Sequence, residues 1–339
     1  MYLAWTQRPA RQLEIAAALG ATPLIFTRPR LTSRTLVPLR YVLHSLWSLV
    51  SLARRRPDTV IVTNPPVPAA AVAALYCLVA RRRLILDSHP AGFGAQGDRI
   101  SARLQFLHRW AIRRAHAVLV TTDAYAPLVE SLGSQIVVVH EPADPEPSAR
   151  LSASPSPSGR HRGTSLNVLF VCIFAPDEPV RVVLEAARLV PDATVRITGD
   201  PRRAPADLLT DLPTNVELTG YLDQASYRRA LHEADVVLAL TTEPSSVMRA
   251  AYEAVNAARP LIVTDWPDLQ AAFPYAVATA NTADSIAAAL QKVSTRLACL
   301  EADAGAARLV QADRWRAQLE RLREVVGVEG VERIEEVPV

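Results

Sequence analysis

Lysine is nearly missing from this chain of 339 residues: Lys292 stands alone, and the rest of the basic side is arginine. With its abundant Ala and Pro this is the signature of a GC-rich coding bias, so a single arginine says little by its identity. Cysteine is scarce too. Cys77, Cys172 and Cys299 lie far apart in apolar contexts and show no metal or redox spacing, as expected of buried thiols in a reducing compartment. Long apolar runs are also lacking. Residues 36–53 (LVPLRYVLHSLWSLVSLA) are interrupted by Arg40 and His44, and 67–80 (VPAAAVAALYCLVA) are too few to cross a bilayer. No secretory signal is expected, because Met1 runs straight into a strand-like YLAW. Aromatics make up 6% of the chain and do not interleave with the arginine clusters, which leaves no footing for nucleic-acid recognition.

Acidic residues are short in the first half. Residues 1–160 hold 19 Arg against 9 Asp and Glu, a charge of +10; the total of +3 leaves −7 for the remainder. A basic first half suits nucleic acid, an anionic membrane or a phosphorylated acceptor, and of these nucleic acid is the weakest. Residues 36–56, with Trp47 and the terminal run Arg54, Arg55 and Arg56, read either as an interfacial helix or as a core-facing one whose cations suit its C-terminal dipole.

What is present in quantity is the alternation of short apolar runs with helix-period stretches. Strands are expected at 2–5, 23–26, 59–63, 84–87, 117–122 and 136–139, with helices near 8–19, 36–55, 67–81, 99–114 and 123–132. The runs are continuous rather than alternating, as in parallel strands buried on both faces. Residues 141–165 are rich in Pro and Ser and read as a linker. The alternation then restarts, with strands at 167–173, 193–198, 215–219, 235–240, 260–264 and 275–279. Helices are expected near 178–190, 223–233, 246–258, 283–296 and 313–326. The organisation is therefore an α/β domain at 1–140, the linker at 141–165, a second α/β domain at 166–312, and a closing helix and tail at 313–339. Ligands of such sheets bind beyond the carboxyl ends of the strands, which makes a cleft between the domains the expected site.

Several segments could carry chemistry. GFGAQG, with Gly92, Gly94 and Gly97, fits a dinucleotide fingerprint, but it lies in the fourth strand–helix unit and has no acid about twenty residues on. A glycine-rich loop over a cleft suits it better. Before it, LILDSHP sets Asp87 at a strand end and His89 on the following loop. The other six histidines show no metal-ligand spacing. In FAPDEPV, Asp177 is placed to cap a helix. ITGDPRR sets Gly199, Arg202 and Arg203 just past a strand, where two guanidiniums could clamp a diphosphate or serve as surface charge. In TTEPSSVMRAAYEAV, a strand turns into a helix near Ser245, and free N–H groups of Ser246, Val247 and Met248 could hold a phosphate. Glu253 follows on a helix made mostly of Ala, Val and Tyr, where a carboxylate is costly without hydrogen-bond donors. A ribose diol offers two.

These residues carry a likeness. TTE…M…AYEAV…RPLIVTDWP, with ITGDP before it, resembles the donor domain of the family 4 retaining glycosyltransferases of GT-B fold. DTVIVTNPPVPAAAVAAL, LILDSHPAGF and VLVTTDAYAPLVE resemble that family's acceptor domain. The resemblance implies two doubly wound, Rossmann-like domains facing each other across a cleft. It implies transfer of a sugar from a nucleotide diphosphate sugar to a glycan or lipid-linked acceptor, with retention and without a metal or resident cofactor. It makes Glu253 the ribose contact, residues 246–248 the cradle for sugar and diphosphate, and His89 the loop histidine that approaches the donor sugar. The family's first Glu falls on Ser245, with Glu243 two residues earlier, and its glycine-rich first loop is replaced by TQRPARQ. The unpaired thiols point to the cytoplasm, and the basic first half to peripheral contact at the inner membrane face. Two other readings of this architecture stay open: a nucleotide-sugar epimerase, and a non-catalytic partner subunit suggested by Ser245.

Overall fold

The computed structural model describes residues 1–6, 9–27, 36–94, 102–141, 165–244 and 246–327. The chain divides into two compact units, Met1–Pro142 with Arg314–Val339, and Ala143–Asp313.

The first unit contains β1 (Tyr2–Ala4), α1 (Ala10–Ala18), β2 (Pro23–Ile25), α2 (Val37–Arg55), β3 (Thr59–Asn64), α3 (Val67–Ala80) and β4 (Arg83–Ser88). It continues through α4 (Gln105–Ile112), β5 (Ala117–Val120), α5 (Ala126–Ser131) and β6 (Gln135–Val138). The strands are all parallel, in the order β2-β1-β3-β4-β5-β6. Each strand divides its side chains between two cores by the two-residue period of the pleat. Val60 and Val62 of β3 enter one cluster with Leu84, Leu86 and Ile112, while Ile61 enters the other with Tyr2, Ile15 and Leu119. Each such fully buried Leu or Ile contributes about 1.5–3 kcal/mol.

The second unit contains β7 (Leu166–Phe170), α6 (Val180–Leu189), β8 (Ala193–Thr198), α7 (Ala206–Leu209), β9 (Val216–Gly220), α8 (Gln224–Glu233) and β10 (Val236–Ala239). Then follow α9 (Arg249–Asn256), β11 (Leu261–Thr264), α10 (Pro267–Ala272), β12 (Val277–Thr279) and α11 (Ala283–Val326). Its strands are also parallel, in the order β12-β11-β10-β7-β8-β9. That is the doubly wound order whose direction reverses between β7 and β10, the place where such sheets receive ligands. Again the strands feed two cores, Val168 and Phe170 on one face and Leu169 on the other.

Some local expectations differ from what is observed. Residues 297–312, between two expected helices, belong to α11, which is continuous apart from a kink at Arg296. The last part of that helix closes the first unit: Leu322, Val325 and Val326 are buried with Tyr2, Ile15 and Ile61. The Gln318 amide meets the His140 backbone and ring there, at 3.0 Å each. Cys77 and Cys172 are buried, but Cys299 is exposed because it lies on an outward face of α11. Residues 142–164 of the expected linker, Gly97 and Ser245 fall outside the described residues.

Candidate functional site

The loop after β7 meets the loop after β10 where the second sheet changes direction. Asp177 does not cap α6; Pro179 occupies the cap position with no side-chain bond. Instead its carbonyl accepts the Thr242 N–H at 2.7 Å and its carboxylate accepts the Thr241 hydroxyl at 3.2 Å. The next residue, Glu178, takes the loop amides: the N–H of Ala175 at 2.7 Å and of Ile173 at 3.0 Å, with the Cys172 thiol at 3.2 Å. Burial first, then the Glu178 carboxylate, pushes that thiol well above its ordinary range. Gly199 closes the floor. Its φ is +99°, and a Cβ there would stand 2.6 Å from the Cys172 carbonyl oxygen, so only glycine lets the loop after β8 approach the loop after β7 so closely.

Thr241 is held from the other side. Its N–H donates to the Thr264 hydroxyl at 3.0 Å, and its carbonyl accepts from the Asn281 amide at 2.9 Å and the Trp266 indole at 3.2 Å. The chain beyond it is thereby aimed. Glu243 is half-buried, and its carbonyl accepts the Ser246 N–H at 3.2 Å. The N–H groups of Val247 and Met248 meet no acceptor among the described residues. Helix α9 begins at Arg249, with Met248 as its cap residue, three residues later than the sequence pattern predicts. Glu253 consequently sits about one turn inside the helix, where a start at 246 would have put it about two turns in.

Both oxygens of the Glu253 carboxylate have partners. One accepts the Tyr227 hydroxyl from α8 at 2.6 Å; the other accepts the Arg249 Nε at 2.8 Å, one turn back on the same helix. Burial first, and then the Glu253 charge, raise the Tyr227 phenol far above its usual range, so it stays a donor. A carboxylate offers about four acceptor positions, so two bonds leave capacity for a diol. The side chain is 27% exposed, which keeps that capacity reachable. Arg202 is 89% exposed and forms a two-pronged ion pair with Asp200 in its own turn, which lowers the Asp200 pKa chiefly through that hydrogen bond. Arg203 is exposed beside it.

In the first unit the carboxyl end of the sheet is built differently. Asp87, next to last in β4, is 1% exposed and meets Tyr2 Oη in a short hydrogen bond and Arg11 at 3.4 Å. Burial would raise its pKa, but the Arg11 guanidinium first, then His89 and Tyr2, hold it well below the usual carboxylate range. Arg11 itself is 5% exposed and donates to the carbonyls of Val139 and His140 at 2.9 Å each and to Glu141 at 3.2 Å. His89 stands on the loop with its Nε2 3.5 Å from the second Asp87 oxygen, and its N–H is held by the Asn64 carbonyl at 2.8 Å. Next to it the buried His108 ring contacts the Ser88 hydroxyl at 3.1 Å, and burial pushes its pKa down to about 4. Among the described residues no group of three or more His, Cys, Asp or Glu is gathered to hold a metal ion.

The structure thus sets His89 beside Asp87, and puts Glu253 one turn into the helix that follows 246–248; it leaves Arg202 and Arg203 on the surface. Sequence reasoning missed Arg11, Tyr2, Glu178 and Tyr227. The Arg249–Glu253 spacing of four was legible as a helical ion pair. Arg11 lies inside the departing segment TQRPARQ, and that departure was its only signal.

Comparison with known proteins adds to this geometry. Residues 4–141 match the model of a glycosyl transferase 4-like domain, and residues 165–296 that of glycosyl transferases group 1. No curated protein matches the sequence. Among solved structures, HepE of Anabaena in complex with UDP and glucose is 15% identical, with 97% of this chain and 99% of that one covered and a TM-score of 0.69. The E. coli trehalose-6-phosphate protein bound with UDP-2-fluoro glucose is 13% identical, over 97% and 99% of the two chains, with a TM-score of 0.69. Sucrose-phosphate synthase of Thermosynechococcus elongatus is 17% identical, over 90% and 82%, with a TM-score of 0.66. At these identities the likeness is one of fold.

Proposed function

Because this chain is a glycosyltransferase of the GT-B fold, we propose that it moves a sugar from a nucleotide diphosphate sugar to a glycan or lipid-linked acceptor with retention of configuration. The observation that carries the reading is the pairing of Glu253 with the turn before it. A half-buried carboxylate with spare acceptor capacity stands one helical turn behind two backbone N–H groups, at the reversal point of a doubly wound sheet. In this reading Glu253 accepts the ribose hydroxyls, and Tyr227 and Arg249 fix its orientation. The N–H groups of Val247 and Met248, and the positive end of α9 behind them, meet the diphosphate. Ser246 lies in the same turn, with Glu243 at its edge, and Gly199 holds the neighbouring loop after β7 close. Arg202 and Arg203 belong to the proposal only if the Asp200 pair opens to a ligand.

Leaving-group departure is the costly step of such a transfer, and oriented N–H dipoles lower it most where water is excluded. Retention requires the acceptor hydroxyl on the face from which the diphosphate leaves, and holding it there supplies the rest. The departing phosphate oxygen accepts the acceptor's proton, so no separate base is assigned. His89, oriented by Asp87, is proposed to contact the donor sugar. Neither a metal nor a resident cofactor is part of the reading, and the cytoplasm is its proposed compartment.

The neighbours' bound UDP and UDP-glucose support UDP-sugars as the first donors to try. Incubation with a panel headed by UDP-glucose, with a glycan or lipid-linked acceptor, should release free nucleotide diphosphate, and the product's anomeric coupling should match the donor's. An inverted product would overturn retention. Donor binding without turnover against any acceptor would instead assign a non-catalytic partner.

A further inference from the structure

Helix α2 is built inside out. Its most buried side chains are His44, Ser48 and Leu52, two of the three polar. Its outward stripe is apolar: Leu39, Val42, Leu46 and Val50 are 50%, 55%, 54% and 48% exposed, at helical spacings of three and four, with Trp47 alongside at 56%. Ordinary burial would turn such a helix the other way. His44 and Ser48 explain the orientation in part. Trp5 packs edge-on against the His44 ring and donates its indole N–H to the Ser48 hydroxyl at 2.9 Å. The outward Leu and Val stay exposed, and nothing among the described residues accounts for them.

The neighbouring helix α3, which packs against α2, ends in the same manner. Leu75, Leu78 and Val79 are 47%, 53% and 77% exposed near its C-terminus. Both helices cross over between parallel strands, so they run in the same direction and their C-termini lie at the same edge of the sheet. The arginine runs that end them, 54–56 and 81–83, therefore share that edge. Arg56 and Arg82 are both within electrostatic reach of Tyr76. Residues 36–56 and 67–83 together hold seven Arg and no Asp or Glu. Arg82 pairs with Asp58, and Arg83 reaches the Val325 carbonyl, but Arg54, Arg55, Arg56 and Arg81 are exposed.

We infer that the α2–α3 face is a docking surface for an anionic lipid bilayer, lying in the plane of the interface. No helix among the described residues is long and apolar enough to cross a membrane, so the contact is peripheral. The apolar stripe enters the acyl boundary, and the arginines at the helix ends meet the headgroups. Charge complementarity selects the occupant. A second copy of this face would bring seven arginines against Asp58 alone, which already pairs with Arg82, whereas anionic headgroups supply the missing charge. The inference deepens the lipid-linked acceptor reading but is tested without it, because vesicle binding needs neither donor nor acceptor.

The test is flotation of the full chain with phosphatidylcholine vesicles containing or lacking phosphatidylglycerol. The chain should float with the anionic vesicles and stay behind with the neutral ones. Leu46→Ser with Val50→Ser, both at exposed positions, should keep the far-UV circular dichroism and weaken flotation by about tenfold or more. Arg54→Gln with Arg55→Gln should weaken it by about fivefold per charge and flatten its salt dependence. Absence of flotation with anionic vesicles would overturn the inference. So would variants that float like the parent, or a dimer in solution that Leu46→Ser with Val50→Ser dissolves while vesicles bind nothing.

Discussion

The two units end their parallel sheets in different chemistry. At the carboxyl end of the first sheet, charged side chains are buried: Asp87, Arg11 and, less deeply, Glu141, with the Tyr2 phenol completing the set. At the corresponding end of the second, hydroxyls and backbone groups do the joining, through Thr241, Thr264 and Thr198, and the acids Asp177 and Glu178 stay half-exposed. A buried ion cluster tolerates little movement, because any loss of a partner strands a charge in low dielectric. It holds Asp87 in place, 3.5 Å from the His89 ring. A frame of amides and hydroxyls instead leaves backbone N–H groups pointing outward, which suits the holding of a diphosphate. The same architecture thus offers an imidazole beside a fixed carboxylate in one unit and a dipolar cradle in the other.

That contrast can be broken by removing one member from each network. Arg11→Met should cost about 3–5 kcal/mol, since Asp87 and Glu141 would remain as buried acids without their cation. Hydrogen exchange at the β4 amides reads this locally, which avoids treating the two units as one cooperative transition. Adding Asp87→Leu should recover much of the loss, as a matched apolar replacement does for other buried pairs. The sign with pH follows from the depressed carboxylate. Its contribution is complete above the ordinary aspartate pKa of about 3.9 and is lost as the pH falls through the lower folded value. Glu178→Ala is the milder counterpart. It removes the acceptor from the Ile173 and Ala175 amides, but water reaches that loop, so about 1–2 kcal/mol is expected in exchange at β7. Equal losses in the two variants would erase the distinction between the networks.

Most of the fold could be read from the chain because parallel strands buried on both faces are continuous apolar runs. TVIVT and AVLVTT announce β3 and β5 without ambiguity. The short helices α7 and α10 were not legible, since four and six residues are too few to display a helical period. The start of α9 was predicted too early because Ser246, Val247 and Met248 are ordinary helix residues, and what delays the helix is the Ser246 bond to the Glu243 carbonyl. Glu253 was found through its helical neighbours; Arg249 was not singled out, although it stands four residues before Glu253 and pairs with it. Arg11 and Asp87 are 76 residues apart, and Tyr227 and Glu253 are 26 apart. No local pattern links residues at such distances; only the strand order brings them together. Asp177 was misread as a cap because the sequence does not show that Pro179 takes that position or that Glu178 takes the loop amides.

The central claim is that the Glu253 carboxylate, oriented by Tyr227 and Arg249, grips the sugar hydroxyls of a nucleotide. Calorimetric titration of the full chain and of Glu253→Ala with the nucleotide sugar that supports turnover tests it most directly. Loss of a hydrogen-bonded charged acceptor should weaken binding by about ten- to a hundredfold. An affinity unchanged by the substitution, in a variant that keeps its fold, would contradict the claim.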